Sequence, residues 1–198
     1  MFHVFNKSIA GYKIFNEDLD YKRFIFALKF YSFRKRYSFS MYWARDYDIN
    51  EIKGEKTLDI ISYVLMPTHF HLIINAESEK DISSFCAKLL DGYTRYFNLK
   101  HKRAGPLWQG RSKKIHIKNE SYLLHLTRYI HLNPVTAFLA SHPKDWPHSS
   151  YGEFTSQKEN ICSFKNHIDV LGKDYEIFCE DRISYQRELA SIKDLICE

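Results

Sequence analysis

The stretch SYVLMPTHFHLIINA, Ser62 to Ala76, decides how the chain is read. Two apolar runs of strand length, TLDIISYVLM and HFHLIINA, meet at Met66-Pro67-Thr68-His69. Pro67 cannot donate to a ladder and favours a tight turn, so the runs are expected to form an antiparallel hairpin. Side chains of an extended strand alternate between faces, which puts His69 and His71 on one face and Phe70 on the other. Two imidazoles side by side in a strand otherwise built for burial have two uses. They bond to backbone or a neighbour, or they converge on a divalent metal. The pair alone leaves both open. Known zinc frameworks do not fit: no Glu follows at the H-x-E position, no P-C-x-x-C is present, and H-E-x-x-H is missing.

Working outward, FHVFNKSI alternates like a strand, and NEDLDYKRFIFALKFYSF starts with acids and an Asn cap and continues at helical spacing. Residues 34–56 are polar and aromatic without a clear period. After the hairpin, Ile82, Phe85, Leu89 and Tyr93 recur at spacings of three and four, which makes a helix ending in a basic turn. AGPLWQGRSKKIHIK reads as a loop and then a strand with Ile115 and Ile117 on one face. NESYLLHLTRYIHLN reads as a helix with an Asn cap, and Pro134 sets its end or a kink. The first six elements match the split βαβ pattern of ferredoxin-like or RRM-like folds. The expected fold is therefore α+β: a four-stranded antiparallel sheet with helices on one face, plus an extra C-terminal helix. A main domain over residues 1–154 is expected, with a short helical extension over residues 155–198 that begins after an irregular, aromatic-anchored segment.

The 198 residues are 44% hydrophobic, enough for one packed domain and too many for general disorder. No run approaches the ~20 apolar residues of a membrane span, and the N-terminus lacks the layout of a secretory signal, so no membrane partner and a cytoplasmic location are expected. Cys86, Cys162, Cys179 and Cys197 form no C-x-x-C pair and are read as reduced and incidental. The formal charge of +5 is modest, yet it is concentrated. Gly92 to Asn119 holds no acid, while Arg95, Lys100, Lys102, Arg103, Arg111, Lys113, Lys114 and Lys118 all fall within it. Tyr93, Tyr96, Phe97 and Trp108 interleave with them, the composition that tracks a phosphate backbone while stacking on unpaired bases. The same run also suits a solvated basic face over core aromatics. A weaker cluster, Arg34, Lys35 and Arg36, lies beside Phe33, Tyr37 and Phe39.

On the last helix Tyr129 and Asn133 stand four residues apart on one face, with His125 a turn earlier. A helix that only covers a sheet would carry Leu there. An interfacial tyrosine and a helix-ending asparagine would also account for the pair.

YVLMPTHFHLII, then YTRYFNLKHKRAGPLWQGRSKK, then YLLHLTRYIHLNPVTAFLASHPKDWPHSSYGEF together resemble the single-tyrosine HUH transposases of bacterial insertion sequences, in particular their REP-associated tyrosine transposase branch. The resemblance spans Phe2 to Phe154. It implies that His69 and His71 hold a catalytic Mg²⁺ or Mn²⁺, that Tyr129 is the nucleophile, and that Asn133 stands where the family supplies a third metal ligand, often Gln. It also implies a DNA transposase that cuts single-stranded, hairpin-forming ends through a covalent 5′-phosphotyrosine and rejoins strands without ATP, as a monomer or homodimer. The implied DNA contacts are Arg95, Lys100, Lys102, Arg103, Trp108, Gln109, Arg111, Lys113 and Lys114, with Trp108 and Arg111 foremost. Two departures stand out: Phe33 to Lys56 is longer and more aromatic than in typical relatives, and Thr68 replaces a usual Asn or Glu. The alternatives are a domesticated relative that binds DNA or RNA hairpins without cutting, and a phosphodiesterase that activates water.

Overall fold

Alternation of Ser62, Val64 and Met66 with Tyr63 and Leu65, and of His69, His71 and Ile73 with Phe70, Leu72 and Ile74, builds the central hairpin. In the computed structural model, which describes residues 1–34, 38–45, 48–52 and 54–196, strand β4 (Asp59–Met66) turns at Pro67 and Thr68 into β5 (His69–Asn75). The two pair antiparallel with Met66 opposite His69 and Val64 opposite His71, and a register shift between Ile60 and Ser62 leaves Ile60 opposite Ile74, on the face of Leu72 rather than of Ser62. The turn is held from outside, because Pro67 O accepts the Ile14 N–H at 2.8 Å and Thr68 O accepts the Ser8 N–H at 2.8 Å.

Strand β1 (Phe2–Lys7) lies antiparallel on the other side of β5, with Phe5 opposite His71 and Lys7 opposite His69. Strand β6 (Lys113–His116) closes the far edge, pairing Lys113 with Phe5. The order β4-β5-β1-β6 is that of the ferredoxin-like sheet. Two further short strands, β2 (Phe33–Arg34) and β3 (Glu55–Lys56), make a separate ribbon. Lys35, Arg36 and Tyr37 of the weaker basic cluster lie outside the described residues.

Helices α1 (Asp18–Tyr31) and α3 (Glu79–Lys100) cover the face carrying Phe70. Phe24 of α1 meets Phe70 at 5.3 Å between ring centroids and Tyr93 of α3 at 5.1 Å. Full burial of a ring such as Phe70 contributes roughly 1.5–3 kcal/mol relative to exposure. The N-cap of α1 is Glu17 rather than Asn16. The Asp20 carboxylate accepts the Glu17 N–H at 3.3 Å and the Asn16 N–H at 2.9 Å, and so caps the helix start. Between the ribbon strands, α2 (Phe39–Ala44) lays Phe39 and Trp43 against Phe26 of α1.

Helix α4 (Glu120–Thr136) packs on the opposite face of the sheet, capped by Asn119, whose side chain takes the Tyr122 N–H. Pro134 falls inside it, and the helix ends two residues later. The chain then returns along the free edge of β4. Leu65 N–H donates to His148 O at 2.9 Å, and Trp146 Nε1 donates to Leu65 O at 3.0 Å, so the aromatic-anchored segment covers an edge that would otherwise pair with another chain.

The expected boundary at Thr155 falls inside α5 (Tyr151–Ser156). Beyond it Ile161, Phe164, Ile168 and Tyr175 are buried in the same cluster as Val4 and Phe70. Tyr175 belongs to α6 (Gly172–Glu180), and α7 (Ile183–Ile196) follows. His131 of α4 forms a buried junction: Nδ1 lies 2.7 Å from Tyr175 Oη, and Nε2 lies 2.7 Å from Ser150 Oγ and 3.2 Å from Ser62 Oγ. Among the described residues no helix is long and apolar enough to cross a membrane. Cys86, Cys162 and Cys179 are free and buried, whereas Cys197 lies outside the described residues.

Candidate active site

Partners across an antiparallel ladder share a face, so the registers put His69, His71, Lys7, Phe5, His3 and Lys113 on the α4 side of the sheet. Helix α4 sits over β4 on that side and leaves the β1 and β6 half open. The result is a cleft of ≈ 570 Å³ lined by His69, His71 and Tyr129 together with Lys7, Gln109, Arg111 and Lys113. The two imidazoles stand edge to face with centroids 5.3 Å apart, and the His71 ring meets the Tyr129 ring at 6.0 Å. Tyr129 is 45% exposed, the state a nucleophile needs and a core tyrosine lacks.

The loop after α3 supplies the basic wall because it is tied to the end of β1. Gln109 N–H donates to Lys7 O at 2.9 Å, and Asn6 Nδ2 donates to Gly110 O at 3.0 Å. Gly110 has φ +125°, a conformation that side-chain-bearing residues rarely adopt, so glycine lets the loop turn there and present Arg111.

Both histidines are held neutral. Burial pulls His71 down to about 3, aided by His69 and His3, and burial with the nearby Lys7 cation also lowers His69. Each has Nδ1 engaged: His69 with Thr68 Oγ1 at 3.0 Å and His71 with His3 Nε2 at 3.0 Å. Neutral imidazoles with one nitrogen engaged by a neighbour have the form of metal ligands. The donor set therefore fits a divalent cation through two histidines. Among the described residues no group of three His, Cys, Asp or Glu side chains is placed to hold a metal, and no carboxylate lines the cleft.

The remaining expected residues separate by their surroundings. Asn133 lies a turn beyond Tyr129 but does not line the cleft; its Nδ2 donates to Tyr129 O at 2.8 Å, which leaves Oδ1 as its donor atom. His125 turns away, with Nδ1 2.9 Å from Arg128 Nη2 and its ring 5.6 Å from Phe178. Gln109, Arg111 and Lys113 do line the cleft. Trp108 is a correction: its indole is 7% exposed, packs on Phe70 and donates from Nε1 to Thr94 Oγ1 at 3.1 Å, so it is a core residue with no face open to a base. Lys100 bonds buried Asp20, Glu17 and Tyr96 and holds α3 to the start of α1. Arg103 clamps its own loop through Asn98 Oδ1 and Pro106 O. Lys114 pairs with Glu79, and Arg95 with Asp91 on the α3 surface. Lys102 is exposed in a left-handed turn after α3.

His3, Phe5, Asn6 and Lys7 were not anticipated at the site. The alternation of β1 puts His3, Phe5 and Lys7 on one face, but nothing in the sequence tells which strand they adjoin.

Residues 45–133 match the family model described as Transposase IS200 like. The chain is similar to the REP-associated tyrosine transposases, as the resemblance of its motifs indicates. It is 29% identical over 104 residues to the REP-associated tyrosine transposase of Escherichia coli (strain K12), an alignment that covers 52% of this chain and spans only 60% of that relative. It shares a fold with a solved REP-associated tyrosine transposase bound to a REP hairpin: TM-score 0.54, 17% identity, 86% of this chain and 92% of that one covered. The α+β fold with its four-stranded antiparallel sheet is thus that of the transposase neighbour.

Proposed function

We propose that the chain is a metal-dependent DNA strand transferase that cuts hairpin-forming single-stranded DNA with Tyr129. One observation carries the reading: an exposed tyrosine beside two neutral histidines in a cleft that cations also line. Lys7, Arg111 and Lys113 attract the DNA backbone, and the absence of carboxylates from the cleft lining leaves that attraction unopposed. His69 and His71 would hold Mg²⁺ or Mn²⁺, with Oδ1 of Asn133 the further protein donor on the tyrosine's helix. A bound cation there supplies charge neutralisation at the phosphate oxygens.

A phenol is a weak nucleophile until its proton is removed, so position matters. Helix α4 holds Tyr129 in the cleft lining, beside His71. Its Oη forms a bond to phosphorus, the bond from phosphorus to the 3′-oxygen breaks, and the phenolic proton is balanced by the proton taken up on the leaving 3′-OH. The product is a 5′-phosphotyrosine, and attack by a second 3′-OH reverses the step and joins strands without ATP.

Labelled hairpin DNA from the flanks of the gene, incubated with Mn²⁺, should give strand cleavage that EDTA and His69→Ala both abolish. The second reading, a hairpin binder that does not cut, is favoured by the lack, among the described residues, of a third His, Cys, Asp or Glu side chain placed to join the two histidines. It would show metal-independent binding that survives His69→Ala, with no cleavage of any cognate end.

A further inference from the structure

We propose that His3 is a positioning residue that sets the tautomer and ring plane of His71, so that His71 offers a bare Nε2 to a cation in the cleft. The inference rests on the reading above. His3 Nε2 lies 3.0 Å from His71 Nδ1 in a buried bond that joins β1 to β5. The rings are nearly parallel, 22° apart with centroids at 5.2 Å. The ladder puts Ile73, not His71, directly opposite His3, so the bond runs diagonally between neighbouring strands. Phe5, opposite His71, stacks on His71 at 5.6 Å and lies tilted against His3 at 4.9 Å, which limits rotation of both.

A neutral imidazole carries one proton on two nitrogens, so one histidine of such a bond donates and the other accepts. If His71 accepted at Nδ1, its proton would sit on Nε2 and block ligation. Only donation from His71 Nδ1 to His3 Nε2 leaves a lone pair on Nε2 of His71, a residue of the cleft lining. His3 then carries its own proton on Nδ1. The usual partner of a metal-binding histidine is a carboxylate, carbonyl or water. Here the acceptor is a neutral ring, which orients His71 without adding negative charge where phosphates must enter. His69 differs: its neighbour Thr68 has a hydroxyl that either donates or accepts, and so leaves its tautomer less defined.

The test is a long-range ¹H–¹⁵N correlation spectrum of metal-free protein carrying ¹⁵N-histidine, with Mn²⁺ affinity measured alongside. Wild-type His71 should be protonated on Nδ1. His3→Phe keeps a stacking ring but removes the acceptor, so His71 should become a tautomer mixture and Mn²⁺ should bind about 10–100-fold more weakly. His3→Gln, whose carbonyl oxygen accepts, should recover most of both, and melting curves separate these effects from loss of fold. His71 protonated on Nε2 in the wild type overturns the proposal without any variant. So does a His3→Phe protein with unchanged His71 spectrum and Mn²⁺ affinity. Wild-type protein that takes no Mn²⁺ contradicts the transferase reading, whereas the metal-free spectrum judges His3 independently.

Discussion

The phenol of Tyr129 and the imidazole of His71 meet edge to face, 6.0 Å between centroids with their planes at 83°. One stands on α4, the other on a central strand. Their meeting depends on how α4 seats over β4, and the seat is polar: buried His131 bridges Ser62 of β4, Ser150 and Tyr175. Arg128 adds a tie from the same helix, donating to Phe178 O at 3.1 Å while stacking on the Phe178 ring at 4.0 Å. The segment beyond residue 155 thereby braces the tyrosine helix on both sides of Tyr129.

Removal of that brace should cost stability. Tyr175→Phe leaves one nitrogen of a fully buried histidine without its partner, at about 1–3 kcal/mol. Urea unfolding checks this, and an unchanged midpoint would mean that the bond contributes nothing.

Acid should loosen the same junction. Burial holds His131 down to about 3, against 6.5 for a free histidine. Between those values the unfolded chain binds one more proton than the folded one, so stability is complete above pH 6.5 and lost as pH falls toward 3. The slope for this one proton approaches about 1.4 kcal/mol per pH unit. Urea midpoints between pH 8 and pH 5 should be flat at the upper end and fall below 6.5; a flat profile throughout would contradict a neutral buried His131.

The cleft cations should govern affinity for DNA. Arg111→Ala and Lys113→Ala should each weaken hairpin binding and reduce the slope of log K against log salt by about 0.7–0.9 for each phosphate no longer neutralised. Arg95→Ala, on the α3 surface and paired with Asp91, should change affinity less than twofold. Salt titrations by fluorescence anisotropy distinguish the two classes, and an Arg95 effect as large as that of Arg111 would move the interface away from the cleft.

Trp108→Ala should act on the fold. The buried indole fills space against Phe70 and Tyr93, so its loss should cost about 3–5 kcal/mol in denaturant unfolding. A variant of undiminished stability that binds DNA poorly would return Trp108 to the interface.

The hairpin and its shared histidine face were legible because strand alternation is local: His69 and His71 share a face whatever surrounds them. Tyr129 and Asn133 were legible for the same reason at helical spacing. His3 was not. Its reach to His71 depends on which strand β1 adjoins and in what register, and both follow from packing across the whole sheet. Trp108 shows the opposite failure: an aromatic amid cations has the composition of a stacking platform, but the side it faces was set when the Leu107–Gly110 loop was tied to β1. Tyr175 and Phe164 sit in a polar, acidic stretch whose periodicity is weak, so their burial appeared only with the core that receives them.

Strand cleavage by Tyr129 turns on its Oη, and peptide mass spectrometry of the protein after incubation with Mn²⁺ and hairpin-forming DNA reads that atom. A nucleotide adduct on the peptide containing Tyr129, absent from Tyr129→Phe, is the predicted result. Cleaved DNA with no adduct, or an adduct that persists in Tyr129→Phe, would contradict the account.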